Sequence, residues 1–468
     1  MTPNKNNASI IRKDLLIRLT RGLLQQNSDS IDRIPIVIKP RGRDPWRCCV
    51  YKDRAVLKYK VMSILGYAEC DEVDELAPLS WYAHRPRGHQ KFYLNLIPES
   101  CSNCPSGSYV VTNLCRGCEA RPCQMNCPKD AITFKNGQAE INSELCINCG
   151  KCMRECPYNA IHFQPRPCED VCPVDAISQT PDGNEEIDKE KCILCGKCMQ
   201  ACPFGAIIPS SDLPQLVQHM NANEELVAIV APAVNGQFRG SLEQIYSGIN
   251  ACGFTHVYEV AEGAEQTALL EANELSELIQ NKEHPGLMSS CCPAWVDYVN
   301  KKQSLWRSSV SHAASPMAIS AKIAKEKHPN ARVVFIGPCI AKKAEVSVSE
   351  HVDYAISFEE LGALLVASEV EIADLQPFST APYKPDVGRK FAAAGGVAGA
   401  ISQKMEQNIT IYSLDGITKP AMRQMTRAVK EQKIDFFEVM CCEGGCLGGS
   451  QTLTSVAEAQ RIIQSKPD

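Results

Sequence analysis

The pattern of apolar and polar positions changes character twice along the chain. Near the start, Ile10–Gln25 and Ala55–Tyr67 read as helices, and the Pro- and Arg-rich stretch around Pro78–Arg87 reads as loops. From Cys101 to about Pro209 the segments are short and broken by Cys, Pro and Gly. After Ser210, strand-like apolar runs such as Leu226–Val230 and Val333–Ile336 alternate with helical stretches such as Ala264–Ile279 and Pro316–Lys327. That alternation predicts an α/β domain with its working loops at the strand ends. The expected layout is a mixed region of unassigned role over 1–98, an irregular middle over 99–210 and the α/β domain over 211–468.

At 468 residues the chain is too long for one ordinary core, and two to four domains are expected. Its 26 cysteines would suit a secreted disulfide scaffold only in a much shorter chain with a signal peptide. The polar, basic stretch Met1–Arg21 has no signal-peptide pattern, and no run approaches the roughly 18 apolar residues of a membrane span. Reduced thiolates holding metal in the cytoplasm are the expectation. A net charge of −5 argues against nucleic acid as the main partner. Cys48, Cys49 and Cys70 have no ligand spacing and read as ordinary buried thiols, and none of the nine histidines has a ligand spacing.

The middle region repeats itself. Cys146-x2-Cys149-x2-Cys152-x3-Cys156-Pro157 recurs as Cys192-x2-Cys195-x2-Cys198-x3-Cys202-Pro203, the mark of a bacterial ferredoxin module. In two-cluster ferredoxins the fourth cysteine of one run serves the other 4Fe–4S cluster. Applied here, Cys115, Cys118 and Cys123 pair with Cys156, and Cys146, Cys149 and Cys152 with Cys127. The first run has four residues rather than two between Cys118 and Cys123. In the second module Cys192, Cys195 and Cys198 take Cys172. Cys168 and Cys202 are left with two vacancies that Cys101 and Cys104 could fill, giving three to four accessory clusters. A zinc ribbon on Cys101 and Cys104 is the alternative for the last site.

Three loops downstream carry the more specific signal: Ser290-Cys291-Cys292-Pro293-Ala294-Trp295, Gly337-Pro338-Cys339-Ile340-Ala341-Lys342-Lys343-Ala344-Glu345, and Glu438-Val439-Met440-Cys441-Cys442-Glu443-Gly444-Gly445-Cys446. Together they resemble the signature loops of iron-iron (FeFe) hydrogenases, over roughly residues 100–455. The Cys168-x3-Cys172 half-module looks most like the group B subfamily, known chiefly from anaerobic bacteria. The fold this implies is a multidomain α+β and α/β chain, with ferredoxin-like 4Fe–4S modules leading into an H-cluster domain.

The resemblance implies roles position by position. Cys292, Cys339, Cys442 and Cys446 would ligate the cubane of the H-cluster. Cys446 would also bridge to a diiron unit carrying carbon monoxide, cyanide and an azadithiolate. Lys342 matches a lysine that donates to one cyanide. Ala231-Pro232-Ala233 resembles the loop near the other, and Phe391, Gly395, Gly396 and Met440 match the pocket lining. Gly444, Gly445, Gly448 and Gly449 would let the backbone turn tightly around the metal. Cys291 would exchange a proton with the dithiolate amine, and Glu271, Ser311 and Glu274 would continue the relay. The arginine that often ends this relay is replaced by Leu278. Further departures are Gly337 for Met, Cys441 for Ala and Met317 for Gln. The implied activity is reversible H2 oxidation and proton reduction, as in a ferredoxin-type hydrogenase, with ferredoxin or a similar carrier as electron partner. Maturation enzymes would deliver the diiron unit. The alternatives are an H2 or redox sensor of low turnover and an iron–sulfur assembly scaffold.

Overall fold

The computed structural model describes residues 6–85, 92–101, 104, 107–181, 183–281, 286–378, 385–431, 433–465. Helix α1 (Asn7–Leu24) starts at Asn6, whose side chain accepts the Ser9 amide at 2.8 Å. Helix α2 (Val50–Leu65) stops at Gly66 in the left-handed conformation, φ +89. Between these helices and the next strand the expected loop is in fact partly helical, over Leu79–His84. The side chain of Asp32 accepts both the Ser80 amide (2.7 Å) and the Ser80 hydroxyl (2.9 Å), and Leu79, Tyr82 and Ala83 are buried, so tertiary contact overrides the proline-rich composition. Pro86 and Arg87 lie outside the described residues. Cys48 and Cys70 are exposed and Cys49 is half-buried, which corrects the expectation of buried thiols. Cys49 caps α2, its sulfur accepting the Lys52 amide at 3.5 Å, and a cap sits at the surface by its nature.

The middle region is two copies of one plan. In the first, Ser108–Val111 pairs antiparallel with Ile161–Gln164, and Ile132–Lys135 with Gln138–Ile141. In the second, Leu94–Leu96 pairs with Ile207–Pro209, and Ile177–Gln179 with Glu185–Ile187. A turn repeated four times holds each copy together: Cys-Pro-x-x-Ala-Ile, starting at Cys127, Cys156, Cys172 and Cys202. In every case the residue before the Ala has a positive φ (Asp130, Asn159, Asp175, Gly205). That conformation brings the Ala amide back onto the cysteine sulfur at 3.3, 3.3, 3.3 and 3.4 Å.

The C-terminal region is built on two parallel sheets. The first runs β2 (His256–Glu259), β1 (Leu226–Val230), β4 (Arg332–Ile336), β5 (Tyr354–Ile356) in spatial order. The second runs β3 (Leu287–Met288), β7 (Phe436–Met440), β6 (Ile411–Asp415). Strands β1 and β7 are buried along their whole length; β1 is an unbroken apolar run, as a strand covered on both faces requires, and β7 is broken only by the hydrogen-bonded Glu438. Helix α3 (Val260–Gln280) packs on α4 (Pro316–Lys327), with Gly263 so close to Pro316 that an added Cβ would lie 2.3 Å from its carbonyl oxygen. The N-terminal helices share this core. Leu15, Leu19 and Leu57 belong to one apolar cluster with Leu226 and Phe358, and α1 lies on α5 (Phe358–Ala367).

Candidate functional site

Each sheet sends loops out of its carboxyl ends toward a common point. Ala231 follows β1, Cys339 lies three residues beyond β4, Cys291 and Cys292 follow β3 at a short distance, and Cys441 and Cys442 follow β7 directly. The carboxyl ends of parallel strands are where α/β proteins place ligands. An internal cavity of about 90 Å³ lies there, and Cys291, Cys292, Cys339, Cys442 and Cys446 all line it. Pro232, Met317, Lys342, Phe391 and Met440 complete much of the wall.

Three of the expected lining residues stand off that wall, because they shape the backbone that carries it. Ala233 is fully buried behind it. Gly395 (φ +86) opens the turn beside it, and its amide donates to Glu438 at 3.0 Å. A Cβ on Gly396 would lie 1.9 Å from the Lys390 carbonyl oxygen, so only glycine fits. Glu438 also accepts the Val397 amide (3.3 Å) and the Ser413 hydroxyl (3.1 Å), which ties this turn to β7 and β6.

Most of these thiols are held as weak acids. Burial, then the neighbouring Cys442, Cys292 and Cys446, pushes Cys339 well above the ordinary thiol value. Cys446 opens into the cavity yet is enclosed by the surrounding protein, and burial pushes it up to about 12. Cys442 is the exception, since a hydrogen bond from Cys441 holds it below the ordinary value. Sulfurs packed this closely can be anionic together only around a cation, so the donor set fits a cluster of iron and sulfide. Burial works against the charge of Lys342, yet the Glu345 carboxylate, 2.7 Å from Nζ, keeps its pKa above the usual value. Glu345 in turn accepts from Ser315.

Glu271, Ser311 and Glu274, the polar groups expected beyond Cys291, fall into two hydrogen-bonded groups, Glu271 with Ser290 and Ser311 with Glu274. Burial, then Glu271, raises the Cys291 thiol well above its usual range. Glu271 is fully buried and is pushed up to about 7, first by burial. Its Oε1 accepts the Ser290 amide (2.9 Å) and hydroxyl (3.0 Å), while Oε2 has no hydrogen-bond partner among the described residues. Further out, the Ser311 hydroxyl donates to Glu274 at 2.6 Å, and His312 Nδ1 lies 2.9 Å from the same carboxylate. Neither Ser290 nor His312 stands out in the sequence. The first is an ordinary part of its loop, and the second has no ligand spacing.

The sixteen upstream cysteines gather in fours. Cys115, Cys118, Cys123 and Cys156 line one small cavity, and Cys127, Cys146, Cys149 and Cys152 another. Cys172, Cys192 and Cys195 are electrostatic neighbours of Cys198, and Cys101, Cys104 and Cys202 of Cys168, with Cys168 also acting on Cys198 between the two groups. Cys195 also lines the large cavity, and the Cys441 side chain hydrogen-bonds both Cys195 and Cys442. The fourfold Cys-Pro-x-x-Ala-Ile turn was the signal in the sequence for the equivalence of these groups.

Residues 224–450 match the family described as iron-only hydrogenase large subunit, C-terminal domain. Residues 139–162 match a 4Fe-4S binding domain, and 162–212 the LdpA Fe-S cluster-binding domain. Iron hydrogenase 1 of Clostridium pasteurianum is 24% identical over 269 residues, 47% of this chain and 47% of that protein. The NADP-reducing hydrogenase subunit HndD of Solidesulfovibrio fructosivorans is 24% identical over 375 residues, 68% of this chain and 58% of that one. The chain thus spans about half the length of these relatives. Among solved structures, an apo FeFe-hydrogenase from Chlamydomonas reinhardtii aligns with a TM-score of 0.42 at 16% identity, covering 53% of this chain and 88% of that one. Residues 224–450 are therefore a domain of the iron-only, or FeFe-, hydrogenase family.

Proposed function

We propose that the chain is a hydrogenase that interconverts dihydrogen with two protons and two electrons. The observation that carries this reading is the single cavity in which Cys292, Cys339, Cys442 and Cys446 meet Cys291 and Lys342. The four cysteines would hold the cubane of an H-cluster, with Cys446 bridging to its diiron unit. When bound, that cluster supplies the metal chemistry of dihydrogen cleavage and formation. Lys342 offers an ammonium to a small anionic ligand, the backbone at Ala231-Pro232-Ala233 a second polar contact, and Phe391 and Met440 an apolar wall. Cys291 moves the proton, and Glu271, near half-ionised at neutral pH, is suited to take it.

Electrons travel through the four cysteine groups, each holding one 4Fe–4S cluster. The group of Cys195 is the inner end, because that residue shares the cavity wall. The outer end is the first module, where Cys149 is exposed among the exposed apolar side chains Leu145, Ile147 and Met153. A ferredoxin or similar carrier would dock there. A cytoplasmic location and delivery of the diiron unit by maturation enzymes belong to the same proposal. Among the described residues no helix is long and apolar enough to cross a membrane.

The test is to load purified protein with a synthetic diiron mimic and measure H2 formation from reduced viologen. Turnover is expected. A fully loaded protein without turnover would overturn the catalytic reading in favour of a sensor.

A further inference from the structure

The resemblance implies an arginine at the outer end of the proton path, where this sequence has Leu278, and Leu278 packs against an apolar cluster. Glu274 finds its partner on the opposite segment instead. Its carboxylate takes the His312 amide at 3.2 and 3.3 Å and meets His312 Nδ1 at 2.9 Å. Exposure rises outward along the path. Glu271 is 0% and Ser311 6% exposed, while the side chains of Glu274 and His312 are 24% and 85% exposed.

We propose that His312 is the solvent terminus of this relay, passing protons between Glu274 and bulk water. The inference rests on the proton path of the proposed function. An arginine there could only hold the carboxylate in place, because a guanidinium does not release its proton. An imidazole exchanges protons near neutral pH. A proton from Glu274 adds at Nδ1 and the Nε2 proton leaves to water; the exposed ring then returns to its starting tautomer by rotation or by exchange with water.

The experiment follows exchange of the Cys291 thiol in D2O through its infrared S–H band, identified by its loss in Cys291→Ser. Protein carrying only its cubanes is used, so the result does not depend on turnover. His312→Ala keeps the backbone contact to Glu274. It is expected to slow exchange at least about tenfold, less than a positioned acid–base group commonly contributes. Added imidazole should restore the rate, and His312→Arg should remain slow. Exchange at the wild-type rate in His312→Ala, or full recovery in His312→Arg, would overturn the proposal. Absence of turnover in loaded wild-type protein would instead count against the hydrogenase reading.

Discussion

At the scale of single residues, Glu271 shows how an environment suited to function costs stability. Its folded pKa is raised, so the ionised form is the one the fold disfavours. Its contribution is neutral below the unfolded value and becomes unfavourable as pH rises from about 4.5 to about 7. Glu271→Gln keeps an acceptor for Ser290 and should gain stability over the wild type through that window. The gain should level off above pH 7 at on the order of 3 kcal/mol. Melting temperatures of both proteins between pH 5 and 8 check this, and a difference that does not grow with pH would refute it. Cys291→Ala should lower the turnover of loaded enzyme by about 10² or more with iron content unchanged. Wild-type turnover in that variant would remove Cys291 from the proton path.

At the scale of elements, the second ferredoxin-like copy meets the C-terminal region at Gly196. A Cβ there would lie 2.5 Å from Ser450 Cβ and 2.9 Å from Ile340 Cδ1, on a backbone with φ +76. Gly196→Ala should therefore destabilise the protein by about 2 kcal/mol through overpacking and strain. It should also slow reduction of the inner cubanes by an external donor, read by freeze-quench EPR. An unchanged melting temperature would show that this contact is looser than described.

At the scale of the whole molecule, the N-terminal helix is bolted to the C-terminal region by a buried ion pair. Arg12 Nε and Nη2 reach the Glu359 carboxylate at 2.9 and 2.7 Å, with side chains 9% and 1% exposed. Arg12→Ala leaves that buried carboxylate only Lys13, whose Nζ is 4.0 Å away, and should lose about 3 kcal/mol, whereas Arg12→Met with Glu359→Leu should lose much less. Chemical denaturation of the three proteins separates the cases. Equal losses in the single and double variants would mean that packing, rather than charge, holds α1.

Cysteine spacing made the grouping of the upstream thiols legible in the sequence, because each group is drawn from a few local turns with little backbone freedom. The runs Leu226–Val230 and Val333–Ile336 were legible for a similar reason, since a buried parallel strand is apolar along its covered length. Other features depend on parts of the chain meeting. Leu79–His84 is helical because Asp32 caps it from a distance, and His312 gained a partner only when its segment folded across α3. Local sequence sets the cysteine turns and the strands; long-range packing decides which polar groups become neighbours.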